Sequence, residues 1–150
     1  MEDIVVRRAV PQDSERLAEL YSELITRPTD VDALRRRLES DVPAILLVAE
    51  TSGHDLVGTG YGVICPDTVG GCHPFMVVDN VVVHHAYRRR GIAHLLMTEL
   101  ETLAREAGCS LILLVSGAER TAAHRLYERL GYSVPVRGFR KYLSDHSPHS

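Results

Sequence analysis

A run of three arginines followed by a glycine is the first segment that could do chemistry. It lies in YRRRGIA, residues 87–93, where Arg88, Arg89 and Arg90 directly precede Gly91. Arginine donates charge-assisted hydrogen bonds to phosphate oxygens, and glycine lets a ligand approach the backbone because it has no Cβ. Apolar residues at helical spacing follow, so the first N–H groups of a helix should point outward here and favour an anion. The segment predicts a phosphate or pyrophosphate site rather than a simple basic patch.

A polar pair interrupts an otherwise apolar segment, FMVVDNVVV, at Asp79 and Asn80. The segment is typical of a strand, and burial there would raise the pKa of the Asp79 carboxyl toward a value useful for a general base. Period-two alternation points the two side chains to opposite faces, whereas a bulge would let either face a cleft. Asp79 is therefore a candidate base. A strand-edge residue bonded to a nearby turn is the alternative, and a chain of waters could accept the proton instead.

The elements around these residues form a strand, turn, helix, strand order. The apolar periodicity after Gly91 predicts a helix that ends at Gly108. The apolar run from Leu111 to Val115 predicts a strand buried on both faces, paired in parallel with the strand that contains Asp79. This βαβ unit would place the arginine turn at the carboxyl end of the earlier strand.

The remaining segments predict further strands and helices of one α/β domain with a mixed sheet. A first strand is expected at Ile4 to Arg8 and a helix after Pro11 and Asp13. The other predicted elements are a helix from about Asp30 to Ser40 behind a capping-box-like pair (Thr29 and Asp32), a hairpin (Ala44 to Glu50 and Leu56 to Ile64), a helix ended by Gly131, and two short strands near Tyr132 to Val136 and Gly138 to Leu143.

Composition limits the classes of function. The chain has 150 residues and a formal charge of −3, which gives no global attraction to nucleic acid or to an anionic membrane. Three cysteines without close pairing suggest free thiols in a reducing compartment, so we expect a cytoplasmic protein. No apolar run reaches about 18 residues and the N-terminus lacks a signal-peptide core. Residues 144–150 are expected to be a disordered tail.

YRRRGIA resembles the pyrophosphate-binding motif of the GCN5-related N-acetyltransferases (GNAT), which reads Gln or Arg, two residues, Gly, one residue, Gly or Ala. Arg88, Gly91 and Ala93 occupy the three positions. AAHRLYERLGY, residues 122–132, is similar to the closing segment of that family, in which a helical Tyr precedes a Gly and an aromatic residue. The first strand and helix, IVVRRAVPQDSERLAEL, and the end of the hairpin, DLVGTGYGV, are also similar to the N-terminal part of that family. The resemblance covers roughly residues 3–143 as one domain.

The resemblance implies a mixed, mostly antiparallel sheet of six to seven strands with about four helices, in which the fourth strand splays from a parallel fifth. It also implies that acetyl-CoA binds in the V-shaped opening, with its pyrophosphate on the arginine turn. The residues expected to bind the cofactor are Val81, Val82 and Val83 of the strand and Arg88, Arg89, Arg90, Gly91, Ile92 and Ala93 of the turn.

For catalysis, the resemblance implies direct acetyl transfer from acetyl-CoA to a primary amine. Tyr127 would protonate the departing thiolate; the alternative is a core tyrosine whose hydroxyl bonds to backbone. A backbone N–H of Val82 or a neighbour would polarise the carbonyl. Tyr21 and Asn80 are expected to contact the acceptor. The family often has Asn seven residues before the helical Tyr, but this chain has Arg120, which we expect to be solvated or to contact phosphate.

Other classes of function remain as alternatives. A non-catalytic acyl-CoA-binding or sensing domain would explain the arginine turn without requiring Tyr127 to act as an acid. Within the enzyme class, the acceptor could be a protein instead of the favoured small-molecule amine. A nucleic-acid binder leaves Gly91 and Tyr127 unexplained. No metal site is expected, because no cysteine or carboxylate is spaced as a ligand beside His84 and His85. A homodimer is compatible with the family.

Overall fold

A five-stranded sheet carries the helices in the part of the chain that the structure describes. The computed structural model describes residues 2–116, 120–133 and 137–146. Its strands are β1 (Ile4–Arg8), β2 (Ala44–Thr51), β3 (Leu56–Cys65), β4 (Phe75–Val83) and β5 (Ile112–Leu114). Its α-helices are α1 (Ser14–Tyr21), α2 (Val31–Glu39), α3 (Ile92–Glu106) and α4 (Thr121–Arg129). Short 3-10 turns lie at Pro11–Asp13 and His85–Tyr87.

The strand order is β1-β2-β3-β4-β5, with antiparallel pairing up to β4 and parallel pairing of β4 with β5 across α3. The predicted βαβ unit is confirmed. β5 pairs only with Met76, Val77 and Val78, although β4 continues to Val83. The second half of β4 therefore has an open edge, which is the splay that the resemblance implies.

The expectation of six to seven strands is wrong, since the described residues form five. Of the predicted closing strands, Val134–Val136 lie outside the described residues, and no strand forms at Tyr132, Ser133 or residues 137–143. The apolar side chains of the predicted strand at Gly138 to Leu143 do not pack on the core, since Phe139 and Leu143 are about nine-tenths exposed. Most of the predicted tail, residues 147–150, also lies outside the described part.

The strand β5 is also less enclosed than its apolar sequence predicts. Ile112 and Leu114 are half-buried, but Leu111, Leu113 and Val115 are 50%, 43% and 70% exposed. The prediction of burial on both faces is therefore wrong. Only the face toward α3 is covered by the residues that the structure describes.

Local signals at the helix ends behave largely as predicted. Gly108 and Gly131 follow α3 and α4 with φ of +78° and +90°, the left-handed conformation that ends a helix. At α2 the predicted pair of Thr29 and Asp32 is wrong: the cap is Asp30, whose carboxylate accepts from the Ala33 N–H at 2.9 Å. Asp30, one residue after Thr29, is placed so that its carboxylate accepts a hydrogen bond from a free N–H group of the first helical turn.

The helix α3 packs against a glycine-rich face of β3. A Cβ on Gly58 would lie 2.9 Å from Cγ2 of Ile92 and 3.2 Å from Cδ1 of Leu96. Both side chains are buried in the core. The glycines of GTGYG, residues 58–62, thus permit a close helix–sheet approach.

None of the described helices combines the length and the apolar character that a membrane-spanning helix requires.

We expect Gly58→Ala to lower the free energy of unfolding by about 1–3 kcal/mol, because the new methyl group overpacks the contact with Ile92. The measurement is urea unfolding followed by circular dichroism. Gly53→Ala is the matched control, since its Cβ would meet nothing closer than 3.7 Å, and its effect should stay within about 0.5 kcal/mol. Equal stability of the two variants would contradict the close packing.

Candidate active site

A β-bulge interrupts β4 at the polar pair. Thr59 of β3 is opposite Val82, but Tyr61 is opposite Asp79, so β4 holds one extra residue. Asn80 takes the left-handed conformation with φ of +52°, which Asn tolerates better than most residues. The bulge that the sequence allowed is therefore present, and it lies just beyond the last residue that pairs with β5.

Asp79 is exposed, so the burial that we predicted for it is wrong. The physical reason is that β5 ends before reaching this level of β4. One carboxylate oxygen accepts from the Asn80 N–H at 2.9 Å, a local contact within the bulge. Asp79 is thus a solvent-accessible carboxylate at the mouth of the splay, and Asn80 beside it is half-buried.

The open edge of β4 presents the backbone of alternate residues. The His84 N–H donates to the Val57 carbonyl of β3 at 2.8 Å, so His84 faces β3. By alternation Val82 also faces β3, whereas Val81 and Val83 face away from it. Of the N–H groups expected to polarise the carbonyl, that of Val82 or of a neighbour, the Val82 N–H points toward β3 and the Val81 N–H points toward the opening. Val81 and Val83 are the residues with backbone groups toward the opening.

Two arginines reach the carbonyl groups on this open edge. Nη2 of Arg120 donates to the Val81 carbonyl at 3.4 Å, and Nε of Arg88 donates to the Val83 carbonyl at 3.2 Å. Arg120 is the N-cap of α4, so this bond ties the start of α4 to β4. Arg120 is exposed, as expected, but its side chain also contacts the backbone of β4. The carbonyl oxygens of Val81 and Val83 therefore both accept hydrogen bonds from arginine side chains, on the part of β4 that no longer pairs with β5.

The turn before α3 has the geometry of an anion cradle. Gly91 caps α3 with φ of +77°, and no side chain occupies the cap. The N–H groups of Ile92, Ala93 and His94 donate no hydrogen bond to any described residue. The first turn contains no acidic residue, and a Cβ on Gly91 would meet nothing within 4 Å. The cradle is open and positively polarised, so it fits a phosphate or pyrophosphate.

The three arginines of the turn have different surroundings. Arg88 bonds to β4 and lies 4.0 Å from the Glu23 carboxylate. Arg90 stacks on the Tyr87 ring at 4.9 Å from its centroid. Arg89 is exposed and has a strained φ of +63°. Backbone strain is often found at functional sites, and here it occurs next to the cradle.

Tyr127 projects from α4 and is 8% exposed. Its ring lies edge-on to Tyr132 at 5.9 Å, and its hydroxyl makes no hydrogen bond to a described residue. Burial raises the pKa of Tyr127 above its ordinary 10.0, the Arg120 charge lowers it and the Asp79 charge raises it further. The alternative of a core tyrosine bonded to backbone finds no such bond among the described residues.

Tyr21, the last residue of α1, lies near Thr59, Tyr61 and Asp79. Burial raises the pKa of Tyr21 to about 12, with smaller contributions from Tyr61 and Asp79. Both Tyr21 and Tyr127 thus lie within electrostatic reach of the Asp79 carboxylate. The structure thus brings Tyr21 of α1 and Tyr127 of α4 near Asp79 of β4.

Glu23 forms a cluster with His84 and His85 that the sequence analysis missed. Its carboxylate lies 2.5 Å from Nδ1 of His85 and accepts from the His85 N–H at 3.0 Å. Burial would raise the pKa of Glu23, but the His85 bonds and the charges of both histidines hold it below its ordinary value. The potential ligand atoms of the three residues lie within 4.8 Å of one another. Sequence spacing beside His84 and His85 therefore does not exclude a metal site, because Glu23 is 62 residues from His85 in the chain but contacts it in the fold.

Comparisons with known proteins agree on the fold. A family model described as "Acetyltransferase (GNAT) family" matches residues 14–132. A protein of Agrobacterium tumefaciens str. C58, provisionally classed as an acetyltransferase, is 26% identical with a TM-score of 0.84, over 92% of this chain and 99% of that one. No curated protein matches the sequence.

Two further solved structures share the fold at lower identity. Glucosamine-6-phosphate N-acetyltransferase of Arabidopsis thaliana is 21% identical with a TM-score of 0.84, over 95% of this chain and all of that one. A transcriptional regulator of Bacillus halodurans C-125 is 24% identical with a TM-score of 0.86, over 94% of this chain and all of that one.

Proposed function

The chain belongs to the GNAT family of acetyltransferases, and from that premise we propose that it transfers an acetyl group from acetyl-CoA directly to a small-molecule primary amine. One observation carries the proposal: beside the open edge of β4 lie a helix N-terminus without a side-chain cap at Gly91 and, within electrostatic reach of Arg120 and Asp79, the buried Tyr127. A binding cradle and a candidate acid thus flank the same opening.

The residues of the cradle fit the cofactor. The free N–H groups of Ile92, Ala93 and His94 suit the pyrophosphate, with Arg89 and Arg90 adding positive charge. The backbone of Val81 and Val83 suits the amide groups of the pantetheine arm, which would share the two carbonyls with Arg120 and Arg88 or displace these side chains. The cofactor, when bound, supplies an acetyl group activated as a thioester.

The reaction forms a C–N bond and breaks a C–S bond, and this chain's residues manage the charges. The Asp79 carboxylate attracts the ammonium form of the acceptor and takes its proton, directly or through water. The Val81 N–H, on the open side of β4, stabilises the negative charge that develops on the carbonyl oxygen. The Tyr127 hydroxyl donates its proton to the sulfur, and the Arg120 charge favours that loss.

The three cysteines give no support to a covalent intermediate. Cys72 is exposed in a loop, and Cys65 and Cys109 are half-buried. Burial raises the pKa of the Cys109 thiol, which makes it a poor nucleophile at neutral pH. Direct transfer in one ternary complex is the simpler mechanism.

We expect Asp79→Asn to lower kcat/KM for an amine by about tenfold or more at neutral pH, because the amide neither attracts ammonium nor accepts its proton. The loss should shrink as the pH approaches the pKa of the amine, where neutral amine is abundant. A pH series of initial rates measures both effects. A wild-type kcat/KM at neutral pH would remove Asp79 from the mechanism.

The function itself is tested by mixing the protein with acetyl-CoA and a panel of amines while recording free thiol. We expect amine-dependent thiol release that is absent without the protein. Tight CoA binding without thiol release for any amine would contradict the enzyme and favour a binding or sensing domain.

A further inference from the structure

Glu23, His84 and His85 form a cluster of potential metal ligands that the proposed acetyl transfer does not use. Each residue offers one ligand atom, and these atoms lie within 4.8 Å of one another. In the part of the chain that the structure describes, no other group of three histidine, cysteine or acidic side chains comes as close together. Two imidazoles and one carboxylate are a ligand set that Zn²⁺ takes in proteins.

The backbone brings the two histidine rings to the same side. Consecutive residues of a continuous strand point to opposite faces, but β4 ends at Val83 and a 3-10 turn begins at His85. The rings of His84 and His85 therefore stack, with their centroids 4.3 Å apart. Glu23 follows the end of α1, and its carboxylate accepts from the His85 N–H at 3.0 Å. The ligand atoms thus come from two segments that are distant in the chain.

An open cavity gives a cation and its water ligands access to this cluster. The cavity encloses about 360 Å³, and all three residues line it. The carboxylates of Glu19 and Asp55 also line it, and Arg16 there is paired with Asp55 at 2.8 Å. The opposing charge nearest to the ligands is that of Arg88, 4.0 Å from the Glu23 carboxylate. Zinc with three protein ligands keeps a position for water, and this cavity has room for it.

The contacts within the cluster can be exchanged for bonds to a cation. The contact of 2.5 Å between the Glu23 carboxylate and Nδ1 of His85 holds a proton between the two atoms, and a cation can take its place. Nδ1 of His84 accepts from the Ala86 N–H at 3.1 Å, and a cation on either nitrogen of that ring requires giving up this bond. Ala86 is exposed, so water can bond to its N–H instead. Metal binding at His84 therefore costs one exposed hydrogen bond.

We propose that Glu23, His84 and His85 bind one Zn²⁺ ion, with water completing the coordination. The ion joins the end of α1 to the turn that leads into the arginine segment, so it stabilises the fold a few residues before the phosphate cradle. Mg²⁺ does not replace it, because Mg²⁺ prefers oxygen ligands. The proposal is independent of acetyl transfer and can be tested whether or not an amine is acetylated.

The test is isothermal titration calorimetry with ZnCl₂ on the tag-free protein after metals have been removed with EDTA. We expect one ion per chain, and binding weaker by about tenfold or more in Glu23→Gln, His84→Gln and His85→Gln. His54→Asn is the matched control. His54 contacts the Glu50 carboxylate at 2.8 Å in a pair without a third ligand among the described residues, so this variant should bind Zn²⁺ like the wild type. Asn tolerates the φ of +68° at this position.

A second arm uses Co²⁺ to distinguish this site from a surface thiol, since Cys72 is exposed. Nitrogen and oxygen ligands give visible d–d absorption without thiolate-to-cobalt charge transfer, and we expect this absorption to be lost in His84→Gln. Circular dichroism of the metal-free variants checks folding, and His84→Gln, which breaks no ion pair, decides the matter if Glu23→Gln unfolds. Absence of Zn²⁺ binding, binding that ignores the three substitutions, or a thiolate band would overturn the proposal.

Discussion

Replacing Gly91 by valine is expected to weaken CoA binding by about tenfold or more, because a side chain there projects into the space above the cradle. Gly91 has φ of +77°, which a β-branched residue adopts only under strain, so the free N–H groups behind it would also turn away from the ligand. Isothermal titration calorimetry with CoA measures the loss directly.

A control variant separates the effect of backbone strain from the effect of losing the cradle. Gly108 ends α3 with φ of +78°, and a Cβ there also meets nothing within 4 Å. Gly108→Val should therefore destabilise the fold about as much as Gly91→Val, by roughly 1–2 kcal/mol, and leave CoA affinity unchanged. If the two variants lose affinity equally, or if Gly91→Val keeps wild-type affinity, the turn is not the pyrophosphate site.

Removing one oxygen from Tyr127 is expected to lower kcat by about a hundredfold with little change in CoA affinity. The general acid contributes only while the thiolate departs, so Tyr127→Phe should reduce kcat and kcat/KM together by roughly that factor. Tyr132→Phe is the matched control, because its ring packs on that of Tyr127 at 5.9 Å and the proposed mechanism gives its hydroxyl no role. Equal kcat in wild type and Tyr127→Phe would remove the acid from the mechanism.

The pH dependence follows from the direction of the pKa shift. Burial raises the pKa of Tyr127 above its ordinary 10.0, so the proton remains on the hydroxyl through neutral and mildly basic pH. We expect kcat to rise as the acceptor amine is deprotonated and to show no fall below about pH 10. A basic limb well below that value would assign the acid to another group.

Much of the fold was predictable because its signals are local. The strand at Phe75–Val83 and the helix between Gly91 and Gly108 follow from side-chain periodicity and from glycines that only special backbone conformations require. The direction of β4 beside β5 follows from the intervening helix. The extent of β5 does not, because an apolar run shows a preference for burial but not which faces other elements cover.

The site was predictable where chemistry is carried by a motif and unpredictable where it depends on packing. The sequence identified Gly91 and Tyr127, but it could not show that β5 ends at Leu114 and leaves Asp79 exposed. The directions of Val81 and Val82 depend on the bulge at Asn80, whose register is set across strands. Contacts between distant segments carry no local signal at all.

The proposed mechanism is direct transfer within one complex of protein, acetyl-CoA and amine. The most direct measurement is the initial rate of thiol release with both substrates varied. We predict reciprocal plots that intersect, because both substrates must be bound before the C–S bond breaks. Parallel lines would indicate an acetylated protein intermediate and contradict the account, and so would thiol release that is independent of the amine.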